Sequence, residues 1–418
     1  MLDVEKVRSR FPALGSGAVF LDNPGGTQVA AGVAEAVARY LLETNANHGG
    51  AFATSRASDA LVAASRAAVA AFLGAARDEE VVFGPNMTTL TLHLSRSLAH
   101  ALSPGDEVVV TRLDHDANVA PWLLAAADRG ATVRWLDFDP AAGTWSPDDL
   151  RSLVNERTRI VAVGWASNAL GTVNPVKEAA AIAHEAGAYC FVDAVHWAPH
   201  GVIDVGEAGC DFLACSAYKF FGPHLGILWG KHEHLERLSP YKVRPALDRP
   251  PDRWETGTQS FEAIAGTLAA LQHLAWVGET FGEAPTRPVT NAPLGPTRAA
   301  LRAGMTAIRE YETVLSRALL EGLSSVPGLT LHGLTDPARL AERVATYAFT
   351  LRGRTPREVA EALGHAGIHV WDGNYYALGV TERLGLEDKG GMVRVGAVHY
   401  NTLAEVDRLV AALRRLAA

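Results

Sequence analysis

Asp211 to Lys219, DFLACSAYK, is an apolar run of strand-forming residues that ends on two hydroxyl side chains and a primary amine. An amine held among apolar neighbours is disfavoured as the ammonium, so its pKa falls and the neutral form can attack a carbonyl to give a Schiff base. An ordinary surface lysine at a strand end is the plain alternative. Six lysines occur among the 38 basic residues, and only Lys219 is flanked by apolar runs on both sides. Upstream, YCFVDAVHW brings Asp193 to the outgoing end of another strand-like run, where a charge is hard to bury without a partner. The protonated ring nitrogen of pyridoxal phosphate (PLP) is such a partner, and an acid on it keeps the ring an electron sink. A helix N-cap is the other use for Asp193.

Three more places carry candidate groups. In Asn86-Met87-Thr88-Thr89, free backbone N–H groups and the hydroxyls of Thr88 and Thr89 open a helix and suit a phosphate, a reading that Ser216 and Lys219 strengthen; a plain N-cap threonine is the alternative. Arg394, in MVRVGAVHYNT, has apolar neighbours and needs an anionic partner, either a carboxylate ligand or a structural salt bridge. Gly25 and Gly26, after Pro24, allow close backbone approach to a ligand or simply make a turn.

The elements that must position these groups are legible. From about residue 80, short apolar runs (EVVF, EVVVTRL, TVRWLDF, RIVAVGWA, YCFVDAV, DFLACSAY) alternate with helical stretches, which predicts a mostly parallel sheet covered by helices. Ligands in such sheets bind beyond the carboxyl ends of the strands, where the motifs fall. Ser146-Pro147-Asp148-Asp149 and Asn174-Pro175 read as helix starts, and residues 3–12 as a short amphipathic helix. Residues 240–300 are rich in proline and read as lid and connecting segments. From about 300 a long helical stretch through 325, the runs LTLHGL, ATYAFTLRG and MVRVGAVHY, and capping boxes at Thr355 and Thr402 predict a smaller α+β lobe. The expected division is an N-terminal arm over 1–20, a large domain over 21–290 and a small C-terminal domain over 291–418.

With 418 residues and 48% apolar content the chain can bury a large core. A net charge of −8 gives no broad basic surface, so neither nucleic acid nor an anionic membrane is an expected partner. There is no apolar run for a membrane span and no signal-peptide pattern in Met1 to Lys6, which makes the cytoplasm the expected location. Cys190, Cys210 and Cys215 lie in or beside apolar runs and read as buried thiols, with no metal site implied.

The chain resembles the class V aminotransferases, within them the cysteine desulfurase and selenocysteine lyase branch. The resemblance covers nearly the whole chain and rests on Asn86-Met87-Thr88-Thr89, Asp114-His115-Asp116-Ala117-Asn118, Ser167-Asn168-Ala169-Leu170-Gly171-Thr172, Asp193-Ala194-Val195-His196 and Ser216-Ala217-Tyr218-Lys219. It implies an α/β fold, fold type I of the PLP-dependent transferases, with a large mostly parallel domain and a smaller C-terminal one, and a homodimer with active sites at the interface. It further implies that His115 stacks on the cofactor ring, that Asn168 lies near the phenolic oxygen, that Gly25 borders the substrate and that Arg394 binds the substrate carboxylate. Thr258, in Glu255-Thr256-Gly257-Thr258-Gln259, matches the threonine that reaches across the dimer to the phosphate.

Several positions depart from the desulfurase pattern. His196 replaces a glutamine that hydrogen-bonds the phenolic oxygen, Tyr218 replaces a histidine, and Trp371 replaces an arginine. In the loop His369-Val370-Trp371-Asp372-Gly373-Asn374-Tyr375-Tyr376, Tyr376 occupies the place of the cysteine that accepts sulfur, and no cysteine follows Cys215. What remains, Lys219 as Schiff-base amine and Cα base with Asp193 and Arg394, suffices for β-elimination, transamination, racemisation or decarboxylation of an amino acid. The expected reaction is β-elimination from a cysteine-type amino acid to keto acid and ammonia, with Tyr376 or Tyr375 protonating the leaving group. Alternatives are a desulfurase using another thiol, an aminotransferase, or a PLP-fold binding protein without turnover.

Overall fold

A computed structural model describes residues 2–283 and 295–418. Seven strands form the larger sheet: β1 (Val81–Gly84), β2 (Glu107–Thr111), β3 (Thr132–Leu136), β4 (Thr158–Gly164), β5 (Tyr189–Asp193), β6 (Phe212–Ser216) and β7 (Gly226–Gly230). Their spatial order is β1-β7-β6-β5-β4-β2-β3. The steps from β6 through β3 are parallel, and β7 runs antiparallel to both β1 and β6.

Side chains alternate between the two faces of a strand, so each strand feeds two cores. Val81, Phe83, Val109, Val161, Val163, Val192, Leu213 and Cys215 pack on one side. Val82, Val108, Val110, Ile160, Ala162, Phe191 and Ala214 pack on the other. Burial on both faces explains why these strands read as continuous apolar runs rather than as alternation.

The smaller sheet contains β8 (Leu329–His332), β9 (Thr346–Leu351), β10 (Trp371–Gly373) and β11 (Met392–Gly396), ordered β10-β11-β9-β8 and antiparallel throughout. A third core joins it to the helices Arg298–Ser324, Pro356–His365 and Leu403–Ala417. Capping boxes start three helices as expected: Ser146 with Asp149, Thr355 with Glu358, and Thr402 with Glu405. Among the described residues no helix is long and apolar enough to cross a membrane.

Four local expectations are corrected. The proline-rich stretch 240–300 contains a 21-residue helix, Phe261–Phe281. Its prolines all lie outside it, and its apolar residues surround the axis, so no 3.6-residue stripe marks it in the sequence. It packs at backbone contact on Arg298–Ser324: a Cβ on Gly278 would stand 2.0 Å from the Ala300 carbonyl oxygen. The second proline run, in so far as it covers 284–294, lies outside the described residues. The helix after Asn174-Pro175 begins at Val176 with Pro175 at the N-cap position and no side-chain cap; Asn174 instead turns its Nδ2 to the Gly164 carbonyl (2.8 Å). Residues 3–12 hold only Val4–Arg8 as helix, followed by a tight turn over Pro12–Ser16. The strand β7, flanked by glycines in GILWG, was not anticipated, yet it is what sandwiches β6 inside the sheet.

Candidate active site

At the carboxyl ends of the parallel strands lies a cavity of about 790 Å³, lined by Gly25, Thr88, His115, Asn168, Asp193, His196, Ser216, Tyr218, Lys219, Tyr376 and Arg394. Two expected members stand elsewhere. Thr89 is exposed on the first helical turn, its N–H given to the Asn86 side chain at 2.8 Å. Thr258 is exposed in a loop whose root, Glu255, is fixed by Arg66 and by the Phe83 N–H, both at 2.8 Å.

Lys219 follows directly on the buried strand β6 through a single 3-10 turn, Ala217–Lys219. It is 9% exposed, and its Nζ donates to the Pro24 carbonyl. Burial, with Arg394 as a second cause, lowers its pKa to about 7 against the opposing pull of Asp193. Asp193 ends the neighbouring strand; its Oδ1 accepts the Val195 N–H at 2.8 Å, while burial raises its pKa to about 6. Asp114 was overlooked as a site group. Burial raises it to about 7, with the charge of Asp193 adding to the effect, and its Oδ1 has no hydrogen-bond partner among the described residues. An acid immediately before His115 at a strand end was the available signal.

The helix Met87–Ala99 points its N-terminus at the cavity. Asn86 caps it, and the Met87 N–H reaches Ser216 Oγ on β6 at 3.2 Å, tying the anion-receptive turn to the strand that delivers the lysine. His115 Nδ1 accepts the Ala117 N–H (3.0 Å), so its remaining proton sits on Nε2. Burial and the nearby Lys219 and Arg394 push its pKa down to about 4, which keeps the ring neutral. His196 is likewise held well below its ordinary value by burial, and its Nε2 meets Thr346 Oγ1 at 3.1 Å.

Arg394 lies on β11, opposite Trp371 of β10 and Ala348 of β9. It is buried without any carboxylate within salt-bridge distance among the described residues: Nη1 donates to the Asn168 carbonyl (2.8 Å), the Tyr375 ring covers its face at 4.2 Å, and Nε is unpartnered. Asn168 in turn gives Nδ2 to the Tyr375 carbonyl (2.9 Å) and leaves Oδ1 without a partner among the described residues. Tyr375 and Tyr376 both adopt left-handed backbone, φ 56° and 60°, which costs about 1–3 kcal/mol per residue and persists only where contacts over-determine it. Here the Tyr376 carbonyl accepts the Asp116 N–H at 2.7 Å, the Tyr375 hydroxyl bonds the Met392 carbonyl, and the Tyr376 ring stacks on His115 at 5.5 Å and 22°. None of the three cysteines lines the cavity; all are buried, and burial raises the thiol of Cys210 to about 12.

Gly25 is required by close approach. A Cβ there would stand 2.2 Å from Trp371 Nε1. Gly25→Ala is expected to destabilise the fold by about 1–3 kcal/mol through overpacking. The same change in a Trp371→Ala background should cost little, and thermal denaturation of the four proteins measures the coupling.

The unpartnered Arg394 Nε and Asn168 Oδ1, the buried acid at the end of β5, the helix N-terminus at the cavity and the depressed lysine together fit PLP: Lys219 for its aldehyde, Asp193 for its ring nitrogen, the first turn of Met87–Ala99 with Ser216 for its phosphate. The protein is thus a PLP-dependent enzyme of fold type I. The chain belongs to the class V aminotransferase family, whose model, "Aminotransferase class-V", matches residues 19–288 and 297–409. It is 38% identical to the aminotransferase-like protein FGM3 of Gibberella zeae, over 98% of this chain and 97% of that one. It is 32% identical to a cysteine desulfurase of Pectobacterium carotovorum subsp. carotovorum, over 99% and 98% of the two chains. The apo structure of a cysteine desulfurase from Thermococcus onnurineus NA1 superposes with a TM-score of 0.87 at 27% identity, covering 100% of this chain and 98% of that one.

Proposed function

We propose that the protein is a C–S lyase that eliminates the Cβ substituent of a cysteine-type L-amino acid, giving keto acid and ammonia. The observation that supports this reading is the placement of the thiols: Cys190, Cys210 and Cys215 are buried and none lines the cavity, whereas Tyr376, which the resemblance puts in the place of the sulfur-accepting cysteine, does line it. Bound through a Schiff base to Lys219, PLP supplies an electron sink for the pair left at Cα. Arg394 takes the substrate carboxylate with its unused donors, and the Tyr375 ring and the Asn168 carbonyl fix the guanidinium plane. Once the substrate amine displaces it from the aldehyde carbon, the freed Lys219 Nζ would remove the Cα proton. Asp193 would hold a proton on the ring nitrogen, neutral His115 would pack against the ring, His196 and Asn168 would serve its phenolic oxygen, and Thr88 and Ser216 would hold its phosphate.

The wider reading is of a cytoplasmic homodimer in which Thr258, exposed and not part of its own cavity's lining, reaches the partner's phosphate. The chain then divides at 20/21 and 290/291 into arm, large domain and small domain. The likeness to a protein named aminotransferase-like supports transamination as a second reading.

PLP-loaded protein incubated with L-cysteine and S-substituted cysteines, with alanine, pyruvate and ammonia measured, separates these. Pyruvate with stoichiometric ammonia is the expected result. Keto acid without ammonia selects transamination, and alanine with sulfane sulfur overturns the reading of Tyr376.

A further inference from the structure

Three phenols surround the cavity, and their hydroxyls are used differently. Tyr375 gives its hydroxyl to the Met392 carbonyl. Tyr376 is 74% exposed and lays its ring on His115. The ring of Tyr218 is packed between neighbours: His224 stacks on it at 5.0 Å and 18°, a Cβ on Gly26 would stand 3.1 Å from its Cδ2, and Lys219 Nζ lies 4.7 Å from its centroid. Its carbonyl is held by the N–H and hydroxyl of Thr27 at 3.1 and 3.2 Å. Its own hydroxyl has no hydrogen-bond partner among the described residues, although the residue lines the cavity beside the lysine.

We propose that Tyr218, rather than Tyr375 or Tyr376, is the acid that protonates the group leaving Cβ, an inference that rests on the β-elimination reading. As Lys219 Nζ takes the Cα proton, the Cβ–S bond breaks with its electron pair going to sulfur, and the Tyr218 O–H passes its proton to that sulfur. The phenolate and the Lys219 ammonium then exchange a proton through water admitted to the cavity, so acid and base are both restored. Water hydrolyses the unsaturated product to keto acid and ammonia. Burial and the Asp193 charge hold the phenol above its ordinary pKa, so it is protonated throughout the neutral range. An acid this weak matters most for a leaving group that becomes strongly basic as it departs. An alkyl thiolate is such a group; a nitro-substituted aryl thiolate leaves unaided.

The test compares PLP-loaded wild type with Tyr218→Phe, which keeps the ring and its stacking on His224, using S-methyl-L-cysteine and S-(4-nitrophenyl)-L-cysteine. With the visible absorbance of the bound cofactor unchanged, the variant should lose about 100-fold or more in kcat on the methyl thioether and only a few-fold on the aryl one. Equal losses on both, or none, would overturn the role of Tyr218 while leaving the elimination reading intact. Absence of keto acid from wild type with either compound removes the elimination reading and the inference with it.

Discussion

Lys219→Ala is expected to abolish the visible absorbance of the lysine-linked cofactor and to lower turnover by about 10^4-fold or more, since one side chain serves as both covalent anchor and proton acceptor. Added primary amines should not restore wild-type rates, because the replaced amine is buried at the end of β6 rather than at the mouth. The depressed pKa makes two further results readable. Capture of PLP by apoprotein should accelerate as pH rises through about 7, where the folded-state amine loses its proton, instead of near the ordinary lysine value of 10.5. The same shift is a cost to folding. Between about 7 and 10.5 the unfolded chain holds a proton on Lys219 that the folded chain does not, so this term opposes folding fully below about 7 and vanishes above 10.5. Lys219→Met apoprotein should therefore be the more stable protein at neutral pH, by on the order of 4 kcal/mol. Equal melting temperatures for the two apoproteins at pH 7 and at pH 10 would refute the assignment of a buried, depressed amine.

Arg394→Ala should leave the cofactor absorbance in place and lower kcat/KM for an amino acid by about 10^3-fold, the effect of removing a desolvated partner from a carboxylate. The loss should appear mainly in KM, because the carboxylate is bound before as well as during reaction, with a smaller fall in kcat from poorer orientation at Cα. A comparison of L-cysteine with cysteamine, which lacks the carboxylate, sharpens the test: wild type should discriminate strongly and the variant scarcely at all. Undiminished discrimination would mean that Arg394 has a structural role and that the carboxylate is bound elsewhere. Arg394→Lys should recover only part of the loss, since a lysine ammonium cannot keep the Asn168 carbonyl bond and present a planar pair of donors together.

Much of this was legible in the chain. Continuous apolar runs ending in polar residues marked the strands, because burial on both faces removes the need for alternation, and the capped helix starts at Ser146, Thr355 and Thr402 were chemical signals within four residues. The helix Phe261–Phe281 was missed for the same physical reason that makes it a core element: its apolar residues lie on most of its circumference, and its few polar residues are too sparse to set a period. Likewise β7 lacks a long apolar run, and Asn174 does not cap its helix but turns its amide to the Gly164 carbonyl at the end of β4, a contact invisible to local reading.

For the site, the sequence alone determined the inventory: a lysine among apolar residues, an acid at a strand end, a helix-opening Asn-Met-Thr-Thr, an arginine needing an anion, and no cysteine in the loop before Arg394. Only the tertiary structure decided how each is used. Among the described residues it left Arg394 without a carboxylate and the Tyr218 hydroxyl without a hydrogen-bond partner, took the Tyr375 hydroxyl for a backbone carbonyl, and turned Tyr376 onto His115. The reason is one of range. Propensity, capping and patterning act over a few residues, whereas hydrogen bonds and pKa values depend on which groups from distant segments share a dry space, and that is fixed only when the sheet closes around it.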